Sequence, residues 1–196
     1  MTTKERIELE ALNLFCIHGY YGVSIRDIAG KVGIKESSIY KHYKGKEEIF
    51  DTIREHYMLK SDAIFGEMTK NPSVFIGMKK ENLIQLVKTV FLTFMQDEYI
   101  QKCRKLFMIS APGNEAIGKL YAYHFITASI QFNTQVFAEI LRTAGKSGYD
   151  AETMAYQFYS PVFCIMQECD YSNVTMEEAL QKIEKITVNF MEVYRL

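Results

Sequence analysis

Between Ser24 and Lys46 six cationic side chains, Arg26, Lys31, Lys35, Lys41, Lys44 and Lys46, stand against two carboxylates, Asp27 and Glu36. The local balance is +4 in a chain whose formal net charge is −1. Ser37, Ser38, Tyr40 and His42 are interleaved with these cations. Ammonium and guanidinium groups neutralise phosphates, and hydroxyl, phenol and imidazole tips bond phosphate oxygens or sort base edges. A nearly neutral chain that gathers its cations in one segment carries the footprint of a polyanion site on one small module. A solvated lysine-rich face would carry the same charge, so the spacing of the other residues has to decide.

That spacing predicts two short helices about a tight turn. Ser24 precedes Asp27 by three, which allows the hydroxyl to cap a helix while the carboxylate reaches back to the cap's own amide. Ile25, Ile28, Ala29 and Val32 then recur at i, i+3, i+4 and i+7, and Gly33 stands where a positive φ would end the helix. Beyond it Ile34, Ile39 and Tyr43 can face inward, leaving Lys35, Ser37, Ser38, Tyr40, Lys41 and His42 on the open side of a second helix. A further helix restarts at Lys46 after Gly45. This is the layout of a helix-turn-helix.

The run also resembles a known domain. Ile7, Ala11, Leu14 and Phe15 precede Gly19-Tyr20-Tyr21-Gly22-Val23-Ser24. There follow Ile28-Ala29, Val32-Gly33-Ile34, Ile39-Tyr40-Lys41-His42-Tyr43 and Lys44-Gly45-Lys46-Glu47-Glu48-Ile49-Phe50. In that order, residues 6–50 resemble the N-terminal domain of the TetR/AcrR family of transcriptional regulators. Three positions depart from the pattern: Lys35 replaces a small hydroxyl residue before the recognition helix, Ser37 stands where Gly is frequent, and Tyr43 where Phe is common. The missing cap leaves that helix end to Ser37 or water, and a buried Tyr43 hydroxyl needs a partner.

The resemblance, joined to the chemistry, implies a double-stranded DNA partner. Tyr40 and His42 are expected to bond phosphates, with plain packing for Tyr40 and plain exposure for His42 as the alternatives. Lys46 is expected to hold another phosphate beside the positive end of its helix. Lys35, Ser37 and Ser38, near the start of the recognition helix, are expected to sort bases. Ser24 is read either as a cap alone or as a cap that also touches the DNA backbone.

At 196 residues the chain is expected to divide into a helix-turn-helix domain over 1–46 and a larger helical domain over 47–196. Turn signals fall at Asn71-Pro72, Ala111-Pro112-Gly113-Asn114, Gly145 to Asp150 and Asp170 to Thr175. No period-two alternation intervenes, so the expected fold is all-α. Its nine helices run over 3–18, 24–31, 36–43, 46–66, 79–96, 98–110, 115–145, 151–169 and 175–195. Charges at Lys4, Glu5, Arg6, Glu8 and Glu10 break any apolar leader, and no membrane span is expected. Cys16, Cys103, Cys164 and Cys169 lack metal or redox spacing and read as reduced thiols of a cytoplasmic protein, used as small buried apolar groups, with a redox sensor as the alternative.

Met176, Leu180, Ile183, Thr187, Phe190 and Tyr194 form a heptad seam. With Phe163 and Met166 of the preceding segment, Ile183, Thr187, Phe190 and Tyr194 are the expected homodimer interface, the alternative being internal packing. Aromatic and methionine residues crowd segment 79–145, where Tyr121, His124, Gln131 and Gln135 also bring polar tips to overlapping faces. The expected small-molecule site is lined by Phe91, Met95, Phe107, Tyr121, His124, Phe125 and Gln131, and the resemblance implies an effector in this domain. No catalytic residues, metal or cofactor are expected: the four histidines are dispersed, and neither a phosphate loop nor a nucleophile motif appears. The reading is a dimeric repressor released from a palindromic operator by a largely apolar ligand. The other reading kept open is a helical adaptor that binds a protein through its C-terminal domain.

Overall fold

The computed structural model describes the backbone of residues 1–196 and every side chain except those of 67, 69 and 72. Among the described residues there is no strand, and the all-α expectation holds. The helices are α1 (Thr3–His18), α2 (Ile25–Val32), α3 (Glu36–Ile39), α4 (Lys46–Lys70), α5 (Lys80–Gln96), α6 (Glu98–Ser110), α7 (Glu115–Ala122), α8 (Ala128–Thr143), α9 (Ala151–Tyr171) and α10 (Met176–Tyr194). A single π-helical turn, Tyr123–Thr127, joins α7 to α8.

Two helix expectations need correction. The recognition helix expected over 36–43 is α-helical only over Glu36–Ile39. Lys35, at its N-cap, supplies no side-chain hydrogen bond, and the Ser38, Lys41 and His42 amides bond three residues back, a tightening that ends a short helix. The helix expected over 115–145 contains the π turn, which adds a residue and rotates everything after it relative to Tyr121. The alignment expected of Tyr121 and His124 with Gln131 and Gln135 assumed an unbroken α-helix.

The backbone divides into two compact units, Met1–Asp62 with Asp97–Tyr121, and Ala63–Gln96 with Ala122–Leu196. The helix-turn-helix expected over 1–46 lies inside the first unit, which adds the opening of α4 and all of α6.

In the first unit Ile7, Ala11, Leu12 and Phe15 of α1 are fully buried with Ile28 of α2, Ile39 of α3, Ile49 and Ile53 of α4, and Ile100, Leu106 and Phe107 of α6. Each of these except the small Ala11 contributes about 1.5–3 kcal/mol relative to exposure. Helix α1 packs on α6 and on α2. A file of rings runs Phe15, Tyr20, Phe50, Phe107, Tyr57, with centroids 5.6, 5.2, 6.0 and 5.4 Å apart.

In the second unit α8 packs on α9, and α10 packs on α5 and α9. Its core joins Ile130, Phe137 and Leu141 with Met154, Ala155, Phe190 and Tyr194. The residues expected at a dimer interface are accordingly covered by their own chain. Met166, Ile183, Thr187, Phe190 and Tyr194 are at most 8% exposed, and Phe163 is half-buried beside the Tyr159 ring. A heptad pattern records that one helix face is apolar and not what covers it. Here α5, α8 and α9 cover it.

Candidate nucleic-acid interface

The site begins with the capping box of α2. Ser24 Oγ accepts from the Asp27 amide at 3.2 Å, and Asp27 Oδ2 accepts from the Ser24 amide at 2.8 Å and hydroxyl at 2.6 Å. The Ser24 hydroxyl and amide hold the Asp27 carboxyl below the usual range. At the other end Gly33 adopts φ 76°, ψ 35°, a left-handed conformation that a Cβ would strain, and the Ile34 amide bonds back to Ala29. Arg6 Nη2 donates to the Val32 carbonyl at 2.7 Å, tying that end of α2 to α1.

After the turn, Ile39 is fully buried and Tyr43 is 2% exposed, so α3 is pinned by its inner side. The Tyr43 hydroxyl donates to the Lys4 carbonyl at 3.3 Å, the partner that its burial demanded. Burial, with the Glu8 charge second, pushes this phenol up to about 12. Pinning leaves Lys35, Ser37, Tyr40, Lys41 and His42 exposed and Ser38 half-buried. Tyr40, at 55% exposure, has its ring outward, which sets aside plain packing. The Arg26–Glu36 pair at 3.8 Å is open to solvent and contributes little to stability.

Lys46 has a different environment from the one expected of a phosphate ligand. Its Nζ donates to the Tyr20 and Val23 carbonyls, both at 2.8 Å, and lies 4.4 Å from the Tyr20 ring centroid. Burial lowers its pKa from the ordinary lysine value. Two of the three ammonium donors are therefore engaged inside the protein. Glu48 accepts the Lys44 amide from within the first turn of α4.

A pinned helix that turns cations, hydroxyls and a phenol outward behind a capped helix and a left-handed glycine has the chemistry of backbone positioning plus base sorting. The sequence pattern of the bacterial regulatory proteins of the tetR family matches residues 9–53. Over that segment the chain is similar to the tetR family of regulatory proteins. Members of this family are transcriptional regulators and not enzymes.

Over 47 residues the chain is 45% identical to IcaR of Staphylococcus epidermidis, the negative transcriptional regulator of the biofilm operon icaADBC. That match takes in 24% of this chain and 25% of IcaR, so the chain is aligned to about a quarter of that relative's length. Likeness in fold extends much further. A candidate TetR-family transcriptional regulator from Mesorhizobium loti superposes with a TM-score of 0.70 at 22% identity, over 97% of this chain and 96% of that one. A cysteine-substituted CifR complexed with 26-bp operator DNA superposes with a TM-score of 0.67 at 19% identity, over 94% of each chain.

Of the residues expected to line a ligand site, Phe107 is fully buried in the first unit's ring file, and Tyr121 ends that unit half-buried. Phe91, Met95, His124, Phe125 and Gln131 belong to the second unit. There Phe91, Met95 and Phe125 are at most 5% exposed, His124 is half-buried and Gln131 is exposed. The π turn places a carbonyl at Phe125 where the Tyr159 hydroxyl of α9 donates to it at 2.6 Å. Cys103 is buried, Cys164 exposed, and Cys16 and Cys169 lie between, so only Cys103 fits the expectation of a small buried group. No helix is long and apolar enough to cross a membrane, and no cluster could hold a metal ion, among the described residues.

Sequence reasoning missed Tyr20, Tyr21, Ser110 and Asn114. Tyr20 N–H donates to Ser110 Oγ at 2.9 Å, and the Asn114 side-chain amide donates to the Tyr21 hydroxyl at 2.8 Å. The two tyrosines stand inside a run used only to establish resemblance. Their partners lie some ninety positions away, beyond any local periodicity.

Proposed function

We propose that this chain is a dimeric, sequence-specific DNA-binding transcriptional regulator, a repressor of a palindromic operator that a small, largely apolar ligand releases. The observation that carries this reading is the outward face of α3. Lys35, Ser37, Tyr40, Lys41 and His42 are open to solvent while Ile39 and Tyr43 fix the helix from behind. Lys35, Ser37 and Ser38 would enter the major groove, and Tyr40 and His42 would bond flanking phosphates. Ser24 caps α2 and stands near the same backbone. A cytoplasmic place of action follows from a chromosomal target. The repressor sense is supported by IcaR, a negative regulator, and DNA engagement by the operator complex of CifR.

One recognition helix reads only a few base pairs, and a two-fold pair doubles contact and specificity. Since the seam of α10 is used internally, we place the pairing surface on what remains outside: Tyr156, Ser160 and Cys164 at intervals of four on α9, and Lys185, Asn189 and Val193 likewise on α10. Tyr156 is 48% and Val193 61% exposed, so both are open to be covered by a second copy. The effector is assigned to the second unit, which holds apolar Phe91 and Met95 on α5 and, at the π turn, Phe125 and His124, a distortion frequent at functional positions. Ligand binding would favour a state whose recognition helices no longer fit successive major grooves.

Selection of bound duplexes from a random pool at physiological salt, then anisotropy on the winners, tests the proposal. Enrichment of an inverted repeat with half-sites about one helical turn apart is expected. Weak, salt-sensitive binding without enrichment would overturn it and favour the adaptor reading.

A further inference from the structure

The outward face of α3 has a neighbour on another helix. Tyr43 lies just past the end of α3 and is 2% exposed, while His42 and Lys44 on either side of it are exposed. The first turn of α1 meets this ring. The Tyr43 hydroxyl donates to the Lys4 carbonyl at 3.3 Å, and the Lys4 ammonium lies over the Tyr43 ring, 5.2 Å from its centroid. Lys4 is itself exposed. A cation from outside the segment 24–46 therefore stands at the trailing end of α3, beside Lys41, His42 and Lys44.

The carboxylates on the same turns are held by partners of their own. Glu5 Oε2 accepts the Thr2 amide at 2.7 Å, within the capping box of α1. Glu8 is buried and meets Tyr99 and His56, each at 2.6 Å. Glu48 accepts the Lys44 amide. A cation over a ring at an open site is held weakly, so Tyr43 orients the Lys4 ammonium while using none of its three N–H donors. The hydroxyl bond meanwhile fixes the main chain from which that side chain departs. Burial pushes the Tyr43 phenol up to about 12, so near neutral pH it stays protonated and keeps donating to that carbonyl.

We propose that Lys4 is a further contact to the DNA backbone, and that Tyr43 is its positioning residue. The inference rests on the DNA-reading proposal above and extends the contact face from α3 to the start of α1. Lys4 serves as a point charge against a phosphate, which adds affinity and sets orientation without sorting bases. Tyr43 thus acts twice. Its ring fixes α3 from behind, and its hydroxyl and ring face together set where α1 presents its cation.

The test uses the full chain and the duplex enriched by selection, with affinity measured over a range of salt concentrations and the selection repeated for each variant. Lys4→Gln is expected to weaken binding about two- to fivefold for each chain bound, the worth of one screened surface ion pair. Its salt slope should fall by about 0.9 for each chain bound, and its base preference should stay as in the wild type. Lys4→Arg should keep the slope. Lys119→Gln removes the same charge from α7 and should leave the slope unchanged. Tyr43→Phe keeps the ring and loses the hydroxyl, so it should lose part of the same slope. Lys4→Gln with Tyr43→Phe should then fall no lower than Lys4→Gln alone, because the two residues act through one contact. If Tyr43→Phe fails to fold, Lys4→Gln and Lys119→Gln decide alone. A wild-type slope in Lys4→Gln, or an equal loss in Lys119→Gln, would overturn the contact. Additive losses in the double variant would overturn the positioning role of Tyr43. Absence of any bound duplex with the wild-type chain would instead defeat the DNA-reading proposal, and this contact with it.

Discussion

Tyr99 and Glu8 meet at 2.6 Å, the phenol donating to Oε1 of a carboxylate that is only 6% exposed. His56 Nδ1 lies 2.6 Å from the same oxygen, so one acceptor joins α1, α4 and α6. The arrangement costs desolvation of a carboxylate and is held by its partners. Glu8→Ala should destabilise the protein by about 1–3 kcal/mol, because it removes the acceptor shared by Tyr99 and the half-exposed His56 and opens a cavity. Tyr99→Phe should cost about 1–2 kcal/mol, leaving the carboxylate one partner short. Urea midpoints measure both, and an unchanged midpoint in Glu8→Ala would contradict this assignment.

The same region should set an alkaline limit. Tyr43 is neutral in the folded protein until about pH 12 and ionises near pH 10 when unfolded. The stability tied to it is complete below about pH 10 and is lost as pH rises toward about 12. Burial, together with the bond to Glu8, pushes the Tyr99 phenol the same way. Tyr43→Phe should flatten the fall in melting temperature between pH 10 and pH 12, and Tyr43→Phe with Tyr99→Phe should flatten it further. A fall of undiminished steepness in the double variant would assign the alkaline limb to other groups.

Ser24 and Ser38 should separate under substitution. Ser24→Ala removes a reciprocal cap and should lower stability by about 1 kcal/mol. Ser38→Ala, on the outer side of α3, should leave thermal stability nearly unchanged and alter which bases are preferred at one position of each half-site. Repeating the duplex selection with each variant reads both effects. A shift of base preference in Ser24→Ala alone would reverse the two roles.

The two sides of the C-terminal helices should also separate. Phe190→Ala empties a position ringed by Phe137, Phe158 and Tyr194, with centroids 5.0, 5.1 and 4.7 Å away, and should cost about 3–5 kcal/mol. Tyr156→Glu with Val193→Glu should leave the fold intact and, on the proposed pairing surface, convert a dimer to a monomer in sedimentation. Loss of folding in the glutamate variant, or no change of mass, would move the pairing surface elsewhere.

What was legible in the sequence was local. Ser24 with Asp27, the stripe through Val32 and the left-handed Gly33 are interactions of residues within a few positions of one another, and each appears in the structure as the spacing implied. The missing cap at Lys35 was also visible, although its consequence, an α3 only four residues long, was not. Tertiary choices were illegible. The α10 stripe announced an apolar face, and only the fold of α5, α8 and α9 against it decided that the cover comes from within. Lys46 read as a surface cation because carbonyl oxygens leave no mark in a sequence. The π turn escaped because no residue type demands it, and its Phe125 carbonyl is satisfied by Tyr159 from another helix.

The most direct measurement is anisotropy of the selected duplex against a chain carrying Ser37→Glu and Lys41→Glu, two exposed positions on the outer side of α3. Neither side chain supports the core, so circular dichroism and melting temperature should match the wild type. If this face reads DNA, two carboxylates placed against phosphates and base edges should abolish specific binding, a loss of at least about a hundredfold. Wild-type affinity in a correctly folded variant would mean that DNA is held elsewhere, or that this face serves another partner.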